Sequence, residues 1–532
     1  MRLFELVQEY FRELLDFQPV WATALGKGPY AARTVDLSAA RVADHVRRLK
    51  KFKLALAGVP VPGVWGEERI ERELMRSDLE IRLKEWGEWR RYRKDPSLYV
   101  GELLYGLWYL FLRLPERDEK VEAALARLRG ARQVVEAAQA NLENPPRLWT
   151  DLAVDEARGY LRFLGEVRAE LLRLAPRRRA EIHAACREAT RAGEEFLQFL
   201  EGPLRRRSDG SYAVGRADFD FLLRHYHHYE MKASELKRLG ERQFAEVKAQ
   251  LLEQARRIDP KTPWQRQIEA VKRRHPRPGE LLQAYRRETR RLRRFVSDRS
   301  LASLPRGESL QVIETPEFTR STIPFAAYVD PPMYGGKNLG TFFVTPIPKG
   351  KRAAELLQEH NFSALRVTSL HEGYPGHHLQ FAVQKRAPGT MMRIYNCSSF
   401  YEGWALYCEE LMQEAGYYSP EDRLIQLKDK LWRACRIIVD VGLHTGAMSD
   451  QEAVRWMAKE LKMSPVSARA DVNWYTMRPT VPQGYFTGML LLTDLRERCR
   501  KKWGRGFTLK KFHDAVLRRG AIPIPLLAKS LR

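Results

Sequence analysis

A mainly α-helical protein with one small β element is what this sequence predicts, and three observations carry the expectation. Leu, Ala, Phe and Val recur at three- and four-residue spacing through most of the chain, with Arg and Glu on the remaining faces. Aromatic, β-branched, proline and glycine residues crowd together only between about residues 306 and 350. The helical rhythm then returns at Ala353 and runs almost to the end.

Residues 1–305 read as long amphipathic helices. They are broken at GVPVPGVWG (58–66), ENPPRL (143–148), EGPLRRRSDGSYAVG (201–215) and DPKTPW (259–264). Proline and glycine there remove a helical hydrogen bond or loosen the backbone. No repeat of fixed period is present. The segment TIPFAAYVDPPMYGGKNLGTFFVTPIP (322–348) is expected to form one or two short strands with tight turns, Thr341–Thr345 being the best strand segment. The whole chain, 1–532, is expected to be a single domain, with a helical N-terminal half (1–305) and a half that carries the chemistry (306–532). A strand just ahead of a histidine-bearing helix suits a cleft that takes an extended ligand along a strand edge.

Composition narrows the class. With 532 residues, 44% hydrophobic and 30% charged, the chain has the balance of a globular protein. No run of about 18 apolar residues appears, so no membrane association is expected. The N-terminus, MRLFELVQEYFRELLDF, alternates charged and apolar residues and lacks the apolar core of a secretory signal, so a cytoplasmic location is expected. The five cysteines (Cys186, Cys397, Cys408, Cys435, Cys499) are scattered and include no CxxC pair. That excludes a disulfide framework and a thiolate metal site. Any metal would have to be held by histidine and carboxylate. The net charge of +25 raises a nucleic-acid partner. The basic residues, however, are spread through helices and interleaved with Glu, without a zinc finger, an RNA-binding aromatic signature or a phosphate loop. An arginine-rich surface laced with ion pairs is the better expectation.

The chemistry concentrates in LRVTSLHEGYPGHHLQFAV (365–383). In HExxH zinc hydrolases two histidines one helical turn apart converge on the metal, and the Glu after the first activates water. Here His371-Glu372 is followed by Gly373-Tyr374-Pro375-Gly376 before His377-His378, so Pro375 stands where the second ligand is expected. In an unbroken helix His371 and His377 would lie about 9 Å apart along the axis. Zinc–nitrogen bonds of about 2.1 Å cannot bridge that. A bulge at Pro375-Gly376 would absorb the two extra residues and bring His377, ahead of His378, to the metal. About 25 residues further on, SSFYEGWALYCEELMQE (398–414) offers Glu402 as the third ligand. Gly403 and Ala405 are small enough to let this helix approach the histidine helix closely. Glu409 or Glu410 is a candidate to orient a ligand histidine through its free ring nitrogen.

Three further segments supply candidates. LWRACRIIVDVGLHTG (431–446) sets Arg436, Asp440 and His444 at four-residue intervals on an apolar helix. They are either a mutually satisfied structural triad or a support in which Asp440 backs the metal site and His444 faces substrate. In DVNWYTMRPTVPQGYFTGM (471–489), Tyr475, Arg478 and Tyr485 are candidates to donate to an oxyanion or hold a carboxylate. The histidines of HYHHYE (225–230), which do not share a helix face, are expected to be structural.

HEGYPGHHLQ followed by YEGWALYCEEL resembles a bacterial family filed as a domain of unknown function, whose members share an HExxPGHH signature. The resemblance runs nearly end to end, through DFQPVWATALG, GTFFVT, VDVGLH and the spacing of Pro479, Tyr485 and Gly488. That family looks like a distant relative of the gluzincin metallopeptidases, in which a Glu on a second helix completes the zinc site. The likeness implies that Glu402 is that ligand. Where it leads one to expect Pro-Gly-Gln, this chain has Pro479-Thr480-Val481.

The combined expectation is a large helical zinc-metallopeptidase-like fold with a small β element beside the active-site cleft. Zn2+ would be held by His371, His377 and Glu402, with Glu372 as base and His444, Tyr485 and Arg478 as further catalytic groups. The expected activity is hydrolysis of short peptides or another small amide. The alternatives are a zinc hydrolase of a non-peptide amide, or a non-catalytic basic scaffold or nucleic-acid binder.

Overall fold

Apolar residues at helical spacing do fold here as helices, which take up 72% of the chain. The computed structural model describes residues 2–316, 320, 325–348, 350 and 353–531. Most breaks fall where proline and glycine place them. Helix Ala39–Ala57 stops before the 58–66 segment and Glu67–Arg82 resumes after it. Arg117–Asn141 and Arg147–Leu174 flank the Pro145-Pro146 pair, and Ala233–Ile258 and Trp264–Lys272 flank the 259–263 turn. The exception is 201–215: the helix Arg179–Phe199 runs on through Leu200–Leu204 as a wider π turn containing Pro203. A π turn shifts the hydrogen-bond register, so a missing N–H is tolerated there.

The β element has three strands, β1 (Ser309–Glu314), β2 (Ala326–Val329) and β3 (Leu339–Val344), in the order β1-β3-β2. β1 runs parallel to β3, pairing Ser309 with Leu339, and β2 runs antiparallel to it, pairing Ala326 with Val344. This exceeds the expected one or two strands, because SLQVIE lies ahead of the 322–348 segment in which the strands are expected. Residues 322–324 of that segment lie outside the described residues. β2 is an edge strand, so one of its sides is unpaired within the sheet.

Two large apolar cores hold the body together. One is built mainly within residues 86–204, around Trp86, Tyr160 and Phe196, and reaches Val329 and Phe343 of the sheet. The other draws on both ends of the chain, joining Leu6, Tyr10 and Leu251 to Tyr374, Trp404 and Leu527. Helix Ala233–Ile258 lies so close to Pro420–His444 that a Cβ on Gly240 would sit 2.8 Å from Ile437. Among the described residues no helix is long and apolar enough to cross a membrane, and all five cysteines are free and buried.

Candidate metal centre

Local sequence chemistry shapes the site. Asn361 caps helix Phe362–Glu372 by accepting from the Ala364 amide, and the helix ends at Gly373. A second helix, His377–Gln384, begins four residues later. The Tyr374–Pro375 peptide between them is cis. The chain therefore does not bulge at Pro375-Gly376 as the sequence suggests. It breaks into two helices. Gly376 sits so tightly against the end of the first that a Cβ there would lie 2.0 Å from the His371 carbonyl oxygen. Helix Ser398–Glu414 fixes the turn from beneath, since Trp404 Nε1 donates to the Pro375 carbonyl at 2.9 Å.

This break brings His371 and His377 to one point. Ligand atoms of His371, His377 and Glu402 all lie within 4.8 Å of one another. Glu402 Oε2 is 3.6 Å from His371 Nε2 and 3.4 Å from His377 Nε2. Those separations exceed a good hydrogen bond. They match two ligand atoms across a tetrahedral ion, which bonds of about 2.0–2.1 Å hold about 3.3 Å apart. Glu402 Oε2 and His377 Nδ1 are buried and have no hydrogen-bond partner among the described residues. On this geometry the three side chains fit a zinc ion, with Nε2 of both histidines and Oε2 of Glu402 as its ligands.

The surroundings hold the cluster in place. His371 Nδ1 lies 2.9 Å from Glu409 Oε1, which leaves Nε2 facing the cluster, and Gln426 Nε2 donates to the other Glu409 oxygen at 3.3 Å. Of the two glutamates the sequence offers, Glu409 takes this place, while Glu410 pairs with Arg423 and Lys430. Burial disfavours a charged His371, but contact with Glu402 and Glu409 outweighs it and lifts its pKa to about 10. Burial likewise pushes Glu402 up, yet contact with both histidines holds its carboxyl well below the usual range. The site therefore favours a cation among these three groups.

His378 points elsewhere. Its Nε2 lies 2.8 Å from Glu308 Oε2 and its Nδ1 3.2 Å from the Tyr328 hydroxyl. Tyr374 donates to the same Glu308 oxygen at 2.6 Å, so the GHH segment is tied to the start of β1. The sequence carries no local signal for Glu308.

The cluster opens into a cavity of about 610 Å³ whose walls include Glu372, Tyr328 and Tyr485. Phe325, Ala326 and Ala327 bring β2 to the same cavity. Burial first, and then the Glu402 carboxylate beside it, raise the Tyr485 phenol and keep it protonated.

Two expected catalytic residues are not brought to this cavity. His444 is fully buried away from it, its Nε2 2.9 Å from the Tyr475 carbonyl. Burial pushes its imidazole down to about 4. Arg478 lines a separate cavity of about 390 Å³ with Trp89 and Trp149. Both lie too far along their elements to turn inward: His444 ends its helix, and Arg478 follows the end of helix Pro465–Met477. Of the expected triad only Asp440 and His444 approach each other, with His444 Nε2 3.8 Å from Asp440 Oδ1, and Arg436 is not joined to them. Asp440 accepts from the Thr480 and Gln483 amides, and Arg436 Nε donates to the Tyr475 hydroxyl. Gly403, expected to face the histidine helix, instead meets Gly488 of helix Gly484–Trp503. His227 and His228 are packed against Ser399 and Ser77.

The family model described as bacterial protein of unknown function (DUF885) matches residues 19–531. No curated protein matches. Among solved structures, a "putative lipoprotein of unknown function" from Shewanella oneidensis is 21% identical, with a TM-score of 0.81 over 99% of each chain. A "putative lipoprotein" from Colwellia psychrerythraea is 18% identical, with a TM-score of 0.85 over 99% of this chain and 98% of that one. At these identities the likeness establishes a shared fold.

Proposed function

This chain belongs to the bacterial family DUF885, whose function is unknown, and from that premise we propose that it is a zinc-dependent hydrolase, a peptidase or amidase acting on short peptides. The observation that carries the reading is the convergence of His371 Nε2, His377 Nε2 and Glu402 Oε2, with Glu409 fixing the first histidine. It is also the ligand arrangement that the resemblance to gluzincins implies. A zinc ion in that place supplies Lewis acidity toward a carbonyl oxygen and toward water.

The chain's own groups supply the rest. Glu372 follows His371 and faces the cavity, where it can take a proton from an attacking water and return it to the leaving amine. Tyr485 stays protonated beside Glu402 and can donate to the oxygen on which charge develops. Edge strand β2 lines the cavity and, with one side unpaired in the sheet, can offer backbone groups to an extended peptide. That edge favours a peptide over a compact, non-peptide amide.

The test is metal analysis of purified protein beside hydrolysis of a panel of short peptides. About one zinc per chain is expected, with hydrolysis abolished by a chelator and restored by zinc. Protein that neither carries nor takes up zinc would overturn the reading.

A further inference from the structure

On one wall of the cavity, helix Pro420–His444 presents Arg433 and Arg436 one turn apart. The two guanidinium groups lie over one indole, at 4.1 and 4.6 Å from the Trp432 ring centroid. Arg436 also lies 4.4 Å from the Tyr485 ring, and Tyr485 adjoins Glu402, so the pair stands next to the cluster. Arg436 is 94% buried, since its relative exposure is only 6%. Its Nε is committed to Tyr475, but its Nη1 is buried with no partner. Nε and Nη1 of Arg433 are likewise buried and unpartnered among the described residues. The nearby acids leave those N–H groups unmet: Asp429 accepts from Lys428 at 3.0 Å, and Asp471 accepts from Trp432 Nε1 at 2.6 Å and reaches only Nη2 of Arg436, at a long 3.9 Å.

Two guanidinium cations a helical turn apart repel each other in a partly desolvated wall. Unmet N–H groups there cost free energy until an acceptor arrives. A planar anion accepting from both is the ligand that answers each deficit, and a carboxylate is the one a peptide carries.

We propose that Arg433 and Arg436 form a carboxylate-binding subsite beside the His371–His377–Glu402 cluster, so that the peptides acted on are those presenting a carboxylate next to the bond that is cleaved. This rests on the hydrolase reading and gives it a substrate class. The carboxylate is either a free C-terminus or an acidic side chain, and the test separates the two.

Binding is measured by titration calorimetry on zinc-loaded Glu372→Gln protein, in which turnover does not consume the probe. Three probes suffice: N-acetyl-Ala-Ala with a free C-terminus, N-acetyl-Ala-Glu amide, and N-acetyl-Ala-Ala amide. At least one acid should bind about tenfold or more tightly than the neutral amide, and whichever it is identifies the source. Adding Arg433→Gln should erase that preference, and Arg433→Lys should restore part of it. Zinc content and far-UV circular dichroism verify that each variant is folded and loaded. Equal binding of acids and amide, no binding of any probe, or a preference that survives Arg433→Gln overturns the subsite. Hydrolysis by the parent protein is scored separately, so losing the subsite and losing the hydrolase are different results.

Discussion

At the residue scale, a zinc hydrolase of the proposed kind separates groups that would hold the metal from groups that would react. Glu372 is next to His371 in sequence, so on a helix it projects about 100° away from it. It faces the cavity and is not one of the three clustered groups. Replacing it with Gln keeps shape and removes the base. Zinc content and melting temperature should then stay near those of the parent, while turnover falls by about 10² or more. Full activity of Glu372→Gln on a genuine substrate would sink the role given to it. Glu409 should behave in the opposite manner. Its bond to His371 Nδ1 sets the ring's orientation, so Glu409→Ala should lower zinc affinity by about 10–100-fold, the scale of losing a ligand's outer support. Competition with a fluorescent zinc chelator measures this, and an unchanged affinity would show that the hydrogen bond does not orient the ligand. The three clustered residues were legible in the sequence because HE, a Pro-Gly interruption and a second histidine pair leave few geometries that close. Glu308, Arg433 and Tyr328 were not legible, since each reaches the site from a distant element.

At the element scale, the site depends on how closely helix Ser398–Glu414 meets Gly484–Trp503. A Cβ on Gly488 would sit 1.8 Å from the Ser399 carbonyl oxygen, and one on Gly403 would sit 2.5 Å from the Gly488 Cα. Gly488→Ala must therefore push apart the helix that carries Glu402 and the helix that carries Tyr485. Overpacking of this kind costs about 1–3 kcal/mol, which urea unfolding would read as a lower midpoint; an unshifted midpoint would show that the helices yield freely. The connection 478–483 shows the reverse case. Thr480, where the family resemblance leads one to expect glycine, has a φ of 65°. A left-handed conformation costs a β-branched residue about 1–2 kcal/mol. Its amide donates to Asp440 at 3.2 Å, which ties the segment to helix Pro420–His444. Thr480→Gly should keep that bond and raise stability by up to about 1 kcal/mol, since the added freedom of the unfolded chain offsets part of the gain. A lower urea midpoint would mean that the side chain's packing outweighs the strain. The sequence offered Tyr475, Arg478 and Tyr485 of the 471–489 segment as one group of donors. That segment is two helix ends and a short link, because Tyr475 and Tyr485 are drawn into neighbouring packing.

At the scale of the whole molecule, composition and periodicity foretold a helical body with one β segment, and proline and glycine foretold most of its breaks. The association of the two halves through a shared core was not readable, because a helix's apolar stripe does not say which partner will cover it. The arginine excess is in part spent on ion pairs between helices, such as Arg132 with Glu195 and Arg158 with Glu201; exposed pairs of this kind add little each. The buried histidines matter more for how stability depends on pH. Burial comes first among the causes that hold His227 and His228 down at about 3, and His360, His444 and His513 at about 4, against an ordinary value of 6.5. Below that ordinary value the unfolded chain takes up protons that the folded protein refuses. Their contribution to stability is therefore complete above about pH 6.5 and is lost as pH falls toward 4. Glu102 and Glu156 oppose this: burial raises both to about 7 from 4.5, so their contribution is present at low pH and is lost as pH rises through 7. His371, lifted to about 10 when no metal is bound, acts in the same direction as those two. His45 and His225 are lowered as well, while Glu71, Asp330 and Asp440 join the raised acids, so seven histidines stand against five acids and His371. The net charge of +25 grows as acid is added, and that repulsion tips the balance toward unfolding at low pH. Urea unfolding in excess chelator removes zinc release as a contributor. Its midpoint should fall steadily as pH is lowered from 6.5 to 5. A midpoint that stays level or rises over that window would mean that the buried imidazoles take up protons without unfolding, and that the polar contacts assigned to them are wrong.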